Sequence, residues 1–256
     1  MTDTQEIQSD TVAEVTNAAG LSDIVLVCEH ASNFIPTALD NLGLDDIART
    51  SHAAWDPGAQ GVACEMSRIL DAPLVSSCVS RLVYDCNRPP SAVDAMPARS
   101  EVFDIPGNQE LSQAERETRT ALYYDPFRAK LTHSLLQKKN AIVVTIHSFT
   151  PVYNGVSRAV EIGILHDTDK RLADGIIDVA QGRTSHIVRR NEPYGPGDGV
   201  THTLQEHALP QSRLNVMVEI RNDLIQSAES QKTMADLLSN WITQAVKTLE
   251  STACRS

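Results

Sequence analysis

The sequence predicts an α/β fold: a single domain with a mixed or mostly parallel twisted sheet, flanked by helices on both faces. Three observations predict it. Short apolar runs alternate along the chain with segments of helical periodicity. The runs are apolar throughout and rich in Val and Ile, the pattern of strands covered on both faces. Several of them end abruptly in charged or polar side chains, as strands do at the ligand-binding edge of an open α/β sheet.

Residues 1–22 are polar and turn-rich without a sustained helical stripe, and they read as a flexible N-terminal tail ahead of a domain spanning 23–256. Strands are expected at "IVLVC" (24–28), "PLVSSCV" (73–79), "AIVVTIH" (141–147), "VEIGILH" (160–166), "HIVR" (186–189) and "NVMVEI" (215–220). Between them, Ser112 with Glu115 forms a capping box, and Asp125 before Pro126 places an acidic N-cap ahead of a proline at the first helical position. Asp167 is a candidate cap for a helix whose apolar face is Leu172, Ile176, Ile177 and Ala180. The last helix has the broadest stripe: Met234, Leu237, Leu238, Trp241, Ile242, Ala245, Val246 and Leu249. Two segments break the rhythm, the proline-rich 86–108 and the glycine- and proline-rich 189–203, and long loops of this kind usually carry function.

With 33 Asp and Glu against 22 Lys and Arg, the formal charge of −11 opposes nucleic acid and anionic membranes. A small anionic substrate is compatible with this charge only if arginines cluster locally. The five cysteines are odd in number and scattered without a CxxC pair, so they read as reduced thiols. No secretory signal and no apolar run of about 20 residues is visible, and a cytoplasmic enzyme fits. The sequence is silent on oligomeric state. Motifs for nucleotide binding and the GxSxG elbow are absent.

The chemistry concentrates where apolar runs end. His30 and His147 each follow a strand, and with one carboxylate they would supply the three protein ligands of a catalytic zinc. Each could equally bond a loop carbonyl. Two carboxylates compete for the third place: Asp56 in "HAAWDPGA", and Glu29, which points to the opposite face of a regular strand unless the strand ends before it. Glu219 is flanked by Val218 and Ile220, and a carboxylate kept in such a setting either has a partner or has the raised pKa of a general base. Glu161 raises the same question with a structural answer favoured. Arg81, Arg88 and Arg158 are candidate anion binders, and Cys28, on the strand face of His30, is a remote candidate nucleophile.

Taken in order, "VCEHASNFIP", "HAAWDPGA", "SRLVYDCNRP", "IHSFTPVYNG" with "RAVEIGILHD", "RNEPYG" and "VEIRNDL" resemble the N-formylglutamate amidohydrolases from about residue 24 to 245. The resemblance implies a scaffold related to zinc carboxypeptidases and hydrolysis of N-formyl-L-glutamate to formate and L-glutamate in histidine degradation. It implies His30, Asp56 and His147 as ligands of zinc or another divalent metal, with Glu29 the second choice for the carboxylate. Glu219 and Arg88 take catalytic roles, the first as base and the second at the oxyanion. Arg81, Asn87, Ser148 and Arg158 become substrate-binding residues, with Arg81 and Arg88 holding the carboxylates of a dianion. A deacylase for another N-acyl amino acid or amide is the near alternative, and an inactive relative binding a metal or small anion is the alternative from another class.

Overall fold

The structure, a computed structural model, describes residues 12–253. Seven strands form its main sheet: β1 (Ala13–Thr16), β2 (Ile24–Cys28), β3 (Leu74–Ser77), β4 (Ile142–Phe149), β5 (Ile162–Leu165), β6 (Val188–Arg190) and β7 (Asn215–Arg221). Their spatial order is β1-β3-β2-β4-β7-β5-β6. The central four, β3, β2, β4 and β7, run parallel, while β1 on β3 and β5 on β7 are antiparallel. All residues of β2 and β4 are buried.

Covering both faces explains the unbroken apolar runs, because side chains alternate across a strand and each face needs its own apolar set. Ile24, Leu26 and Cys28 join Val144, Ile146, Val216 and Val218 in one cluster, against helices α2 (Ala59–Leu70), α5 (Arg171–Ala180) and α7 (Ala228–Ala253), while the short helices α1 (Asp46–Thr50) and α6 (His202–His207) lie within the connections. Val25, Val27, Val143 and Met217 join the opposite cluster with Phe127, Leu131 and Leu135 of α4 (Asp125–Leu136). Each fully buried side chain of this size contributes roughly 1.5–3 kcal/mol. The stripe on α7 packs as its periodicity requires, with Met234, Leu238, Trp241, Ile242 and Ala245 all buried between α2 and α5.

Three local expectations are corrected. The tail contributes β1, whose Ala13–Thr16 pairs with β3 from Ser77 back to Leu74; the rest of that segment, residues 1–11, lies outside the described residues. Asp125 has helical φ and ψ and follows a π-helical turn at Thr120–Tyr124, which joins α4 to α3 (Gln113–Arg119). It therefore continues a helical run and caps nothing, whereas the Ser112–Glu115 capping box forms as expected. Asp167 accepts hydrogen bonds from Thr201 Oγ1 and Gln205 Nε2 at 2.7 and 2.8 Å, and Asp169 instead accepts from the backbone N–H of Arg171 at the start of α5.

The connections place a crevice at the carboxyl edge of the sheet. The chain leaves β2 for β3 on one side and then returns past β2 to β4 on the other, so connections diverge between β2 and β4. Ligands in open α/β sheets bind at such a switch point. The two irregular segments wall it: 86–108, which includes a short hairpin pairing Arg99–Ser100 with Phe103–Asp104, and 189–203. Among the described residues, no helix is long and apolar enough to cross a membrane.

Candidate active site

Strand β2 ends at Cys28, so Glu29 and His30 leave the regular alternation and both turn inward. His147 and Glu219 are register partners on β4 and β7, which puts them side by side on one face. Asp56 arrives from the turn before α2. There Gly58 takes φ +85°, a left-handed conformation that favours glycine, and an added Cβ would stand 2.5 Å from the Ile225 carbonyl oxygen. The amide of Ser148 donates to Asp56 Oδ2 at 3.2 Å, its hydroxyl donates to the Pro57 carbonyl at 2.9 Å, and His30's carbonyl accepts from the Asp56 amide. Ser148 thus fixes Asp56 from the lining of the cleft.

Three acceptor atoms converge on the cleft floor. His30 Nδ1 and His147 Nδ1 are 3.2 Å apart, and Asp56 Oδ2 lies 3.3 Å from the first and 2.9 Å from the second. Ligands about 2.1 Å from a tetrahedral zinc stand roughly 3.4 Å from one another. The distal nitrogens face other carboxylates: His30 Nε2 is hydrogen-bonded to Asp85 Oδ1 at 2.7 Å, and His147 Nε2 stands 3.1 Å from Glu29 Oε2 in a charge contact without hydrogen-bond geometry. A carboxylate on Nε2 favours the proton there and turns the Nδ1 lone pair toward the cluster. Two lone pairs and a carboxylate oxygen this close repel unless a cation or proton sits among them, so the donor set fits a divalent metal.

Electrostatics divides the carboxylates. Burial works against charge on Asp56, but His30 and Arg81 outweigh it and hold its pKa well below the usual range. Glu29 is fully buried, yet His147 offsets the burial and lowers its pKa. Burial likewise opposes a charged His147, but Glu29 and Asp56 raise it well above an ordinary imidazole. Glu219 alone goes the other way. Burial pushes it up to about 7 against the pull of His147, and its Oε2 is buried without a hydrogen-bond partner.

The arginines differ in what they have left to offer. Arg81 gives Nε to the Ala53 carbonyl at 3.1 Å, Nη2 to the His52 carbonyl at 2.9 Å and Nη1 to Asp56 at 3.2 Å, with Nη1 also 3.2 Å from His30 Nδ1. Arg88 gives Nε to Asp94 at 2.7 Å and Nη1 to the carbonyls of Asn87 and Gly199. Arg88 is therefore tied to the walls, and of the two it is Arg81 that reaches the converging atoms. Arg158 has its guanidinium over the rings of Tyr153, Tyr194 and Phe149, at 4.6, 5.0 and 5.5 Å. Asn87 holds the wall at 200–203, donating to the Val200 carbonyl and accepting from the Thr203 amide.

A cleft of about 620 Å³ opens above these groups, lined by His30, Asp56, Arg81, His147, Arg158, Tyr194 and Glu219 among others. Residues 22–226 match the family profile described as N-formylglutamate amidohydrolase. The chain belongs to the N-formylglutamate amidohydrolase family. This is a family of hydrolases acting on amide bonds, and the convergent cluster lies at the heart of the matched region. Gene product Atu2144 from Agrobacterium tumefaciens has a solved structure 51% identical in sequence, with a TM-score of 0.92 over 94% of this chain and 97% of that one. The structure of N-formylglutamate amidohydrolase from Ralstonia eutropha JMP134 shares the fold at 17% identity, with a TM-score of 0.68 over 94% and 99% of the two chains. No curated protein matches.

Several residues that shape the site escape sequence reasoning. Asp85 lay inside a motif already singled out, a carboxylate between two arginines, and that isolation was its signal. His52 bridges Glu101 Oε1 and the Ser148 carbonyl, both at 2.8 Å, fastening the 99–104 hairpin to the cleft floor. Tyr153 and Tyr194 gave no signal, since their role depends on Arg158 lying between them. Cys28 packs in the core, and burial raises its thiol pKa well above the ordinary value, which removes it as a nucleophile. Glu161 pairs with His186 at 3.3 Å and Arg221 at 3.4 Å, the structural role expected of it.

Proposed function

We propose that the protein hydrolyses the amide bond of N-formyl-L-glutamate or a similar small N-acyl amino acid, with a divalent ion, zinc by its donor set, held by His30, Asp56 and His147. One observation carries the reading: three acceptor atoms converge at 2.9–3.3 Å beside a buried glutamate that has no hydrogen-bond partner for Oε2. When bound there, the ion supplies Lewis acidity, polarising the amide oxygen and acidifying water.

The chain's own residues supply the rest. Glu219, with a pKa near neutrality, takes a proton from the attacking water and delivers it to the leaving nitrogen as the C–N bond breaks and the C–O bond forms. Arg81 Nη1, beside His30 Nδ1, faces the charge that develops on the carbonyl oxygen. Arg158, oriented by its aromatic neighbours, binds the substrate carboxylate. The loop walls narrow the cleft and limit water, which strengthens each of these charge interactions.

The test is a formate-release assay on a panel of N-formyl and N-acetyl amino acids, with and without a chelator. Release that stops on chelation and returns with zinc is the expected result. Chelator-insensitive release would remove the metal, and no release with zinc present would remove the reaction.

A further inference from the structure

We infer that Glu101, at the turn of the 99–104 hairpin, is a positioning residue for the reaction: it holds the ring of His52, and through His52 it fixes the guanidinium of Arg81. The inference rests on the amidohydrolase reading above, in which Arg81 faces the charge developing on the carbonyl oxygen, and adds the residue that keeps Arg81 aimed.

The hairpin pairs Arg99–Ser100 with Phe103–Asp104, which leaves Glu101 and Val102 as a two-residue turn. Glu101 takes φ +53°, in the left-handed region where glycine or asparagine sits at little cost and a longer side chain at more. Such outliers persist where the surroundings hold them, and they gather at functional sites. Here the side chain supplies the reason. Although it stands at a hairpin turn it is only 22% exposed, lines the cleft, and has Oε1 2.8 Å from His52 Nδ1. That bond with His52 outweighs burial and holds the Glu101 carboxyl below its usual range, so the contact is made by a carboxylate.

His52 passes the constraint to the floor. Its other ring nitrogen, Nε2, is 2.8 Å from the Ser148 carbonyl oxygen, so the ring is held between the hairpin and the end of β4. The same stretch of chain carries Arg81: Nη2 donates to the His52 carbonyl at 2.9 Å, Nε to the Ala53 carbonyl at 3.1 Å and Nη1 to Asp56 Oδ1 at 3.2 Å. Three hydrogen bonds from Arg81 thus end on residues 52–56, and Glu101 pins the start of that stretch. Asp56, at its far end, is held independently by the Ser148 amide. Losing Glu101 therefore frees the end at His52 and leaves the proposed metal ligand in place. An oxyanion donor acts from a fixed position, and a displacement of about 1 Å is costly.

The test is turnover of the best substrate of the formate-release panel by zinc-loaded protein. Glu101→Asn suits the turn but is one methylene too short to reach His52. Its kcat is expected to fall about tenfold or more, with KM within about threefold, zinc stoichiometric and the melting temperature shifted by no more than about 4 °C. Glu101→Gln, long enough to accept from the ring, is expected to recover most of the loss. Added to Arg81→Lys, Glu101→Asn is expected to lower kcat no further, since both act at one point. A kcat unmoved by Glu101→Asn, a loss that Glu101→Gln does not recover, or losses that multiply in the double variant would overturn the inference while leaving the hydrolase intact. If the wild-type protein cleaves no compound of the panel, the reaction reading fails. The positioning is then read from the Arg81 Nε–H signal in a heteronuclear NMR spectrum, assigned by its loss in Arg81→Lys. A signal that broadens in Glu101→Asn and sharpens again in Glu101→Gln upholds it, and one alike in wild type and Glu101→Asn overturns it.

Discussion

Glu29, just past the end of β2, and Glu219, on β7, are both buried glutamates beside β4 and its His147, yet burial has opposite outcomes for them. Glu29 faces His147 Nε2 at 3.1 Å and its pKa is lowered; Glu219 also feels His147 but makes no ion pair with it, Asp56 works against its charge, and it is pushed up to about 7. Desolvation is the largest influence on each, so the difference lies in the partner and not in the depth of burial. An ionised Glu29 can hold an imidazole in place, while Glu219 near neutrality can both accept and return a proton. Pairs of carboxylates whose surroundings drive them apart are how one site divides positioning from proton transfer.

The sharpest way to break this comparison is Glu219→Gln. It keeps the shape and removes the base, so formate release is expected to fall by about 10²–10⁴-fold while metal content stays stoichiometric. Wild-type-like turnover would reassign the base.

A second effect is on stability. The unfolded chain releases the Glu219 proton near the ordinary 4.5 and the folded protein near 7. Over that window the folded state holds the extra proton, so Glu219's own contribution to stability is full below about 4.5 and declines as pH rises to 7. Glu219→Gln removes this decline, and urea melts of metal-free protein should show the variant gaining roughly 2–3 kcal/mol over wild type between pH 4.5 and pH 8. An unchanged difference at the two pH values would mean that Glu219 is already ionised in the fold.

Glu29→Gln acts on the other member. Losing the charge behind His147 is expected to weaken zinc binding about 10–100-fold in a chelator competition. Turnover of the fully loaded variant falls less than that of Glu219→Gln. Asp85→Asn does the same through His30 Nε2. Cys28, one residue before Glu29 and wholly buried, is the control: Cys28→Ala costs about 1 kcal/mol in a thermal melt and leaves turnover within about twofold.

How much of this was legible in the sequence follows from the range of the forces involved. The central strands were legible because burial on both faces leaves an unbroken apolar run, and α7 because its stripe persists over many turns. β1 was not, since "AEVT" is a short edge strand paired only with β3, and of its four residues only Ala13 is buried. The start of α4 was misread because the π turn at 120–124 hides its continuity with α3. His30, Asp56, His147 and Glu219 were individually visible as polar residues at strand ends and in a turn, and topology brought them together. Glu29's orientation was not: β2 ends at Cys28, where the apolar run ends, but the run does not say how the chain turns beyond it. Nor was the freedom of Arg158, which depends on Arg81 and Arg88 being occupied by Asp56 and Asp94. Such pairings are decided by packing between segments far apart in the chain.

The central claim is that Glu219 moves the proton while Glu29 holds the ligand. It is tested most directly by measuring formate release against added zinc for the two glutamine variants side by side. The account predicts that Glu29→Gln recovers most of the wild-type rate as zinc rises, while Glu219→Gln stays inactive at every zinc concentration. Recovery of Glu219→Gln by zinc, with Glu29→Gln remaining inactive when saturated, would contradict it.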